Sequence, residues 1–233
     1  LIDENGKAHK IVKLIRSLYG LRQSPQLFNK ELIRFMASQG YVQTIADTCL
    51  FTKKTDSGWV CVASEVDDLL VCGSDDAEIE RFHVALVDEY DVTDWADIKS
   101  FLGINIQYDV EAQYMSLDVE TKIDKLFDSH AILKGHLKGK AETPLLEAHM
   151  AIPDDAQLKT DVDVYIRDHY ASLNGALIYM GITCRPDFTF ALSKTSRGMH
   201  NPRPKHVAML RQLLNYAYKH KDMSLSYIGN DPK

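Results

Sequence analysis

The sequence predicts an α+β fold, because strand-like and helical segments alternate in its first half and helical segments alone fill its last third. Three short runs, "TCLFTKK", "GWVCVASEV" and "LLVCG", are bounded by turn residues, as antiparallel strands are. Apolar residues recur at helical spacing after residue 24, after residue 75 and again beyond residue 161. We therefore expect an antiparallel sheet with helices, followed by a helical region.

The 233 residues are enough for one large or two small domains, and 45% of them are apolar. No apolar run approaches the ~20 residues of a membrane span, and no leader segment opens the sequence, so we expect no membrane association. Because the sequence starts at Leu1 and not at Met, we expect a piece of a longer polypeptide. The cysteines lack metal-ligand spacing, which predicts reduced core residues of an intracellular protein: Cys49, Cys61, Cys72 and Cys184.

Capping residues place the first two predicted helices. Ser24 is expected to cap the first helix through its side chain, with Pro25 at the first helical position and Gly40 at its end. The second helix is expected to begin with a capping box of Asp75 and Glu78. The apolar faces are Phe28, Leu32, Phe35 and Met36 in the first helix and Ile79, Phe82, Leu86 and Tyr90 in the second.

The rest of the chain is predicted to hold one more strand pair and four helices. The segments "FLGINIQY" and "QYMSLD" form the pair, and a helix starts at Asp118. Glycine, proline and polar residues from about residue 134 to 161 predict a linker. Three helices follow, at about residues 162–182, 186–198 and 205–221.

Two adjacent carboxylates, Asp67 and Asp68, lie between the apolar runs "CVAS" and "LLVC", which predicts a hairpin with carboxylates at its tip. Adjacent aspartates at a turn are commonly no more than good turn residues. Here the apolar strands would hold them on a rigid frame, and clustered carboxylates repel each other unless a cation compensates them. Mg²⁺ takes carboxylate oxygens and keeps positions open for phosphate. The pattern therefore predicts metal-assisted phosphoryl or nucleotidyl transfer.

Charge is distributed unevenly along the chain, whose net charge is −6. Residues 65–128 contain 18 Asp or Glu against 4 Lys or Arg, whereas residues 188–221 contain 7 Lys or Arg, three His and no acidic residue. A stretch of positive charge attracts phosphates, so a nucleic-acid surface is one interpretation of the basic run. The other is a solvated helix face.

Six segments, in order and covering nearly the whole chain, resemble the motifs of copia-type LTR-retrotransposon reverse transcriptases, which are parts of a pol polyprotein. They are "KLIRSLYGLRQSPQLFNK" (Lys13 to Lys30), "VDD", "FLGINI" (Phe101 to Ile106), "ETPLL", "SLNGALIYMGITCRPDFTFALSKTSRGMHNPRPKH" (Ser172 to His206) and "RQLLNYAYKHKDMSLSY". The resemblance implies a fragment of an RNA-directed DNA polymerase, a nucleotidyltransferase that joins nucleotides to a primer 3′-hydroxyl with two Mg²⁺ or Mn²⁺ ions. It implies a partial palm with the catalytic hairpin at residues 1–117, a thumb start and linker at 118–160, and a helical thumb or connection region at 161–233.

The same resemblance assigns site residues. Asp67 and Asp68 match the catalytic, metal-binding aspartates, and Asp67 is the better candidate for bridging both ions. Loop residues near template and nucleotide are Gly20, Arg22 and Gln23, and the primer end is placed by Leu102 and Gly103. Contacts to the nucleic-acid backbone are assigned to Arg197, Arg203, Lys205 and Arg211. The segment Arg185-Pro186-Asp187 is expected to be structural at a helix start.

Two features depart from the family pattern. Glu65 stands where the family has tyrosine, and strand alternation predicts that Glu65 points the same way as Asp67. The family also has a further metal-binding aspartate upstream of residue 13, with the fingers, and a ribonuclease H domain downstream, all of which we expect to lie outside this sequence. Without them the chain is expected to be inactive alone and to leave the hairpin with an open apolar sheet edge.

Three alternatives stay open at this point: a polymerase part, a decayed remnant that at most binds nucleic acid, and an unrelated metal-dependent phosphotransferase. The implied partners are an RNA template, a DNA primer, deoxynucleoside triphosphates and the rest of the same polyprotein. The expected location is intracellular, in the cytoplasm or a virus-like particle.

Overall fold

The structure, a computed structural model, describes residues 4–7, 14, 17–18, 20–92, 95–137 and 141–229. It confirms the α+β class, with antiparallel sheets and helices. The chain forms two compact units, Leu1–Ala96 (unit 1) and Asp97–Lys233 (unit 2). The predicted palm boundary at residue 117 and the names palm and thumb stay predictions. The start of the "KLIRSLYGLRQSPQLFNK" segment, including residues 13, 15, 16 and 19, lies outside the described residues.

Unit 1 is a four-stranded antiparallel sheet with two helices. In chain order its elements are α1 (Ser24–Ser38), β1 (Val42–Gln43), β2 (Leu50–Lys54), β3 (Trp59–Glu65), β4 (Asp68–Gly73) and α2 (Asp76–Glu89). The strands lie in the order β1-β2-β3-β4, so β4 is at an edge of the described sheet. The open edge beside the carboxylate hairpin, expected from the sequence, is therefore present in the described residues.

One face of this sheet forms the core of unit 1. Along β3, Val60 and Val62 are fully buried whereas Trp59 and Glu65 are exposed, which is the alternation of a half-covered strand. The helices complete the core with Leu32, Phe35 and Met36 from α1 and Phe82 and Leu86 from α2. The predicted apolar stripes therefore face the sheet, except for Phe28, which is 38% exposed.

The caps of the two helices differ from the prediction in part. Ser24 makes no side-chain cap, and its hydroxyl instead donates to the Leu18 carbonyl at 2.6 Å, because Ser24 already lies inside the first turn of α1. Asp75 caps α2 as predicted, accepting from the Glu78 N–H. The predicted reciprocal half of the capping box is absent, since the Glu78 carboxylate binds Arg81 and Lys53.

Unit 2 combines a second four-stranded antiparallel sheet with helices. Its elements are β5 (Ser100–Phe101), β6 (Ile104–Asp109), β7 (Tyr114–Asp118), α3 (Glu120–Ser129), α4 (Ala131–His136), α5 (Glu147–Met150), α6 (Asp161–Asp168), α7 (Tyr170–Thr183), α8 (Thr189–Thr195), α9 (Pro204–Lys219) and β8 (Leu225–Ile228). The strands lie in the order β5-β6-β7-β8. Among the helices that the structure describes, none combines the length and the apolar character that crossing a bilayer requires.

Unit 2 departs from the sequence-based prediction at three places. The helix predicted over 162–182 is two helices, broken at His169, whose ring Nδ1 and backbone N–H both lie about 3.0 Å from the Tyr165 carbonyl oxygen. The linker predicted from about residue 134 begins inside the short helix α4 and contains the short helix α5. The segment Leu225–Ile228 was not predicted as a strand, yet it pairs with β7.

Candidate functional site

The carboxylate hairpin is formed by β3 and β4, and Val66 and Asp67 are its two-residue loop. Val66 has a φ of 52°, in the left-handed region that β-branched residues rarely adopt. Backbone strain of this kind costs about 1–3 kcal/mol and concentrates at functional sites. The turn thus has, besides its pair of aspartates, the backbone strain that is common at functional sites.

The register of the hairpin corrects two sequence-based expectations. Only Asp67 lies in the loop, because Asp68 is the first residue of β4 and pairs with Glu65, the last residue of β3. Strand alternation ends at Glu65, where the turn begins, so the premise that placed Glu65 on the side of Asp67 fails. The residue that faces Glu65 across the hairpin is Asp68.

These three carboxylates, of Glu65, Asp67 and Asp68, are all exposed, and none makes a hydrogen bond or an ion pair within the described part of the chain. Asp75, a few residues further on, is the opposite case, since it accepts from the Thr55 and Ser57 hydroxyls at 2.6 and 2.5 Å. Those hydrogen bonds hold the pKa of Asp75 below its ordinary value. The carboxylates at the turn therefore keep their oxygens available for a ligand.

The turn does not form a complete metal site by itself. In residues 4–7, 14, 17–18, 20–92, 95–137 and 141–229, no group of three or more His, Cys, Asp or Glu side chains is arranged to hold a metal ion. The chemistry of Asp67 and Asp68 fits Mg²⁺ or Mn²⁺, which prefer carboxylate oxygens. Two carboxylates leave an octahedral ion without most of its ligands.

The strands beneath the turn form a rigid frame. Val60 and Val62 of β3 have no exposed surface, and Ser64, one residue before Glu65, is buried. The Ser64 N–H donates to the Cys49 carbonyl at 2.8 Å, which ties the end of β3 to the segment before β2. The position of the carboxylate turn is therefore set by the core of unit 1.

The predicted template loop precedes α1 in unit 1. Gly20 has a φ of 89°, and a Cβ added there would meet nothing within 4 Å, so the glycine serves the backbone conformation and not close packing inside the described chain. Arg22 and Gln23 are exposed. The backbone of Gly20 and these two side chains are therefore accessible to a ligand.

The predicted primer-positioning residues form a tight turn in unit 2. Leu102 and Gly103 have φ values of 52° and 74° and connect the paired residues Phe101 and Ile104, as in a type I′ hairpin turn. The Tyr179 hydroxyl donates to the Leu102 carbonyl at 2.7 Å. This contact fixes the turn to α7.

The predicted phosphate contacts divide into two pairs. Arg197 and Arg203 are exposed, and neither forms an ion pair with any residue that the structure describes. Lys205 and Arg211 bind carboxylates outside the basic run, at 2.8 and 2.9 Å. These partners are Asp154 for Lys205 and Asp163 for Arg211.

Other cations of the basic run are neutralised in the same way. Lys219 pairs with Glu142, and Lys221 lies 2.9 Å from Glu120 and 3.0 Å from Asp124. The positive charge of the run is therefore partly compensated inside unit 2. Its Lys and Arg residues without an ion pair among the described residues are Lys194, Arg197 and Arg203.

Arg185 confirms the structural interpretation of its segment. Its side chain is 1% exposed, and its guanidinium donates twice to the Asp187 carboxylate, at 3.0 and 2.8 Å, and once to the His220 carbonyl at 2.8 Å. The guanidinium carbon also lies 4.2 Å from the centre of the Phe188 ring. Arg185 thus joins the turn before α8 to the end of α9, and it is closed to nucleic acid.

Comparisons with known proteins found a matching family model and several similar proteins. Residues 2–133 match the family model described as reverse transcriptase (RNA-dependent DNA polymerase). The chain is 28% identical over 237 aligned residues to a retrovirus-related Pol polyprotein from the transposon TNT 1-94 of Nicotiana tabacum, an alignment that covers 97% of the chain and 17% of the polyprotein. It is 27% identical over 209 residues to the Pol polyprotein from transposon RE2 of Arabidopsis thaliana, covering 88% of the chain and 13% of that protein.

A shorter relative matches over a larger share of its length. The transposon Ty5-1 protein of Saccharomyces cerevisiae is 27% identical over 215 residues, which cover 92% of the chain and 67% of that protein. No solved structure matches significantly. The chain spans less than a fifth of the length of the tobacco and Arabidopsis polyproteins that it matches.

Proposed function

The chain belongs to the reverse transcriptase family, in its copia-type retrotransposon branch, and we propose that its β3–β4 turn supplies two metal-binding carboxylates of an RNA-directed DNA polymerase. The observation that carries this proposal is the state of Asp67 and Asp68. They match the family's paired aspartates, yet their carboxylates are exposed and make no hydrogen bond or ion pair with any residue that the structure describes.

In this proposal Asp67 and Asp68 hold divalent cations at the growing end of a DNA primer. Two Mg²⁺ or Mn²⁺ ions bound there would activate the primer 3′-hydroxyl and stabilise the leaving pyrophosphate. Asp67, in the loop itself, is the better candidate to bridge both ions. The remaining ligands have to come from residues outside the described part of the chain, from water, or from the nucleotide.

The other assigned residues would contact nucleic acid, each from its own unit. The exposed loop of Gly20, Arg22 and Gln23 contacts the template and the incoming nucleotide, and the Leu102–Gly103 turn positions the primer end. We assign this work to a partial palm at residues 1–117, followed by the thumb start and linker at 118–160 and the thumb or connection region at 161–233. The partners are an RNA template, a DNA primer and deoxynucleoside triphosphates.

Phosphate contacts come first from Arg197 and Arg203, which form no ion pair with any residue that the structure describes. Lys205 and Arg211 would have to exchange Asp154 and Asp163 for phosphates. Their contribution to affinity is therefore smaller, because each new contact replaces an existing ion pair.

A second candidate is a nucleic-acid-binding module without catalysis. It is favoured by the incomplete ligand set at the turn, since no third acidic or imidazole ligand joins the aspartates within the described residues. The two candidates share nucleic-acid binding and differ in nucleotide incorporation.

Primer extension on an RNA template separates them. The chain is assayed alone and within the longest polypeptide that its reading frame encodes, with Mg²⁺ or Mn²⁺ present or removed by chelation. We expect metal-dependent incorporation by the longer polypeptide, lost at least ~100-fold in Asp67→Asn because a metal ligand is removed.

The matched control is Asp56→Asn, the same change in the exposed turn that joins β2 and β3 at the opposite end of β3. It should leave incorporation unchanged. Equal activity of Asp67→Asn and Asp56→Asn would refute the metal-binding role. Binding of a primer–template duplex without incorporation by either polypeptide would favour the non-catalytic module.

Duplex binding is tested by charge removal at Arg197 and Arg203. The double Arg→Gln variant should bind an RNA–DNA duplex more weakly and with a smaller salt dependence, with a slope of log affinity against log salt that is lower by about 2. Arg34→Gln with Lys125→Gln removes the same charge from other exposed positions as a control. An equal loss in both double variants would show that net charge, and not this surface, determines binding.

A further inference from the structure

Two cysteines face each other across the hairpin that carries the aspartates. Cys61 in β3 and Cys72 in β4 are directly opposite in the antiparallel register. Directly opposite side chains lie on the same face of a sheet. The thiols of Cys61 and Cys72 are therefore neighbours.

The hydrogen-bond pattern gives the spacing of this pair. The Ser74 N–H donates to the Trp59 carbonyl at 2.9 Å, and hydrogen-bonded pairs alternate along antiparallel strands, so Cys61 and Cys72 form a hydrogen-bonded pair. In such pairs the Cα atoms are about 5.5 Å apart. Disulfides span Cα distances of about 4.4–6.8 Å, which this spacing satisfies, but they also need Cβ distances of about 3.5–4.5 Å. The Cβ atoms of directly opposite residues are about 4.5–5.5 Å apart, so the two strands have to draw together by up to about 1 Å for the bond to form.

Both thiols lie on the open face of the unit 1 sheet. Cys72 is exposed, and Cys61 is half-buried on the side opposite Val60 and Val62. Burial, and after it the neighbouring Cys72 thiol, raise the pKa of the Cys61 thiol. Cys61 is thus protonated at neutral pH, and the exposed Cys72 is the thiol that a dissolved oxidant reaches first. The expectation that the cysteines are core residues was wrong for Cys49 and Cys72, which are exposed, and for Cys61, which lies on the open face. It is confirmed for Cys184, which is buried.

We propose that Cys61 and Cys72 are an oxidation site, at which a peroxide forms a reversible disulfide across the β3–β4 hairpin. The sulfur of Cys72 attacks hydrogen peroxide, the O–O bond breaks, and Cys72 sulfenic acid and one water form. The sulfur of Cys61 then attacks the Cys72 sulfur, the S–OH bond breaks, and a second water leaves with the Cys61 proton. The sum is two thiols and one peroxide giving one disulfide and two waters.

The disulfide would close a covalent loop around the carboxylate turn. The ten residues between the two cysteines include Val66, Asp67 and Asp68. Because β4 is the edge strand of the described sheet, the cross-link would hold it to β3 independently of any further strand pairing. This inference rests on register and exposure and does not depend on polymerase activity.

The experiment treats the full chain with hydrogen peroxide, unfolds it in iodoacetamide, and measures its mass. The oxidised monomer should carry two fewer alkyl groups than the untreated chain, and dithiothreitol should restore both. Trypsin leaves the two cysteines in one peptide, residues 55–81, because no Lys or Arg lies between. Cleavage after Glu65 then separates Cys61 from Cys72 unless a disulfide joins them.

Two variants make the test specific. Cys49→Ser removes the other exposed thiol and should leave the cross-link unchanged, whereas Cys72→Ser should leave Cys61 fully alkylated. A Cys72 sulfinic acid with Cys61 still reduced would overturn the proposal. So would disulfides that involve Cys49 or join two chains. These contradicting outcomes are measured on the chain without substitutions, so a variant that fails to fold does not affect the result.

Discussion

The two units of this chain treat their charged residues in opposite ways. In unit 1 the acidic side chains at the β3–β4 turn are exposed and bind nothing that the structure describes. In unit 2 most cations of the basic run are held by carboxylates from elsewhere in the same unit, such as Asp154 and Asp163. The acidic turn is therefore available to an external ligand, as the proposed function requires, whereas four of the seven Lys and Arg residues of the basic run form ion pairs within the fold. The charge pattern of the sequence does not show this difference, because it does not show which charged side chains have partners within the fold.

The two units also differ in the number of apolar side chains that their cores bury. The described core of unit 1 has nine buried apolar side chains and that of unit 2 has twenty-three, so unit 1 has less apolar burial with which to offset unfavourable charges. Each unit also contains a buried charged side chain that binds several partners. In unit 1 it is Glu78, which binds Lys53 and Arg81, and in unit 2 it is Arg185.

The two units can be followed separately by spectroscopy. Both tryptophans of the chain, Trp59 and Trp95, belong to unit 1. Tryptophan fluorescence therefore reports the unfolding of unit 1 alone, whereas far-UV circular dichroism is dominated by the helices of unit 2. Each prediction below can be assigned to its unit.

The largest expected effect is at Arg185. Arg185→Ala should lower the free energy of unfolding of unit 2 by about 3–5 kcal/mol, because it leaves the Asp187 carboxylate and the His220 carbonyl without their buried partner. Urea unfolding followed by circular dichroism measures this loss. Arg167→Ala removes a half-exposed partner of Asp168 and is the control. A loss no larger than that of the control would show that Arg185 does not hold α8 to α9.

Glu78 should give the next largest effect, confined to unit 1. Its side chain is 8% exposed and accepts from Lys53 at 2.9 Å and from Arg81 at 2.8 and 2.6 Å. Glu78→Gln should cost about 2–3 kcal/mol, because two cations lose their counter-charge. Urea unfolding by tryptophan fluorescence measures it. Glu31→Gln, which removes only the exposed partner of Arg34, is the control, and equal midpoints in the two variants would contradict the prediction.

The same carboxylate predicts a pH dependence of unit 1. Hydrogen bonds from Arg81 and Lys53 lower the pKa of Glu78 from 4.5 to about 2, against the opposing effect of burial. Because the folded pKa is depressed, Glu78 contributes stability above pH 4.5, and that stability is lost as the pH falls toward 2. After allowance for solvent screening, we expect the free energy of unfolding of unit 1 to fall by about 2 kcal/mol over this window. Fluorescence-monitored unfolding of Glu78→Gln should show a correspondingly shallower pH dependence, and identical slopes would contradict the assignment.

Much of the fold could be predicted because local patterns agree with tertiary structure. The hairpins of unit 1 follow from apolar alternation and turn residues, and the Asp75 cap follows from its position before a helical stripe. The strand β8 could not be found this way, since its four residues acquire strand structure from Tyr114–Leu117, more than a hundred residues earlier. Its pattern alone is too short to distinguish from a loop.

The residues of the candidate site could be proposed from the sequence, but the strand register that positions them could not. The sequence shows Asp67 and Asp68 side by side, but it does not show that the turn is Val66-Asp67, which depends on which strand pairing buries Val60 and Val62. The ion pairs of Lys205 and Arg211 were missed because Asp154 and Asp163 lie about fifty residues earlier. Only the tertiary structure brings such partners together.

The smallest expected effect tests the comparison most directly. If the turn carboxylates are kept for a ligand, then Asp67→Asn with Asp68→Asn should leave the urea midpoint of unit 1 unchanged or slightly raised, because no contact is lost and like-charge repulsion with Glu65 is relieved. Asp75→Asn, the same chemical change nearby, should lower the midpoint, since Asp75 caps α2 and accepts from Thr55 and Ser57. Tryptophan fluorescence measures both. A clear destabilisation in the double variant would mean that these aspartates hold the hairpin together, and the contrast between an acidic turn reserved for a ligand and a basic run used by the fold would be lost.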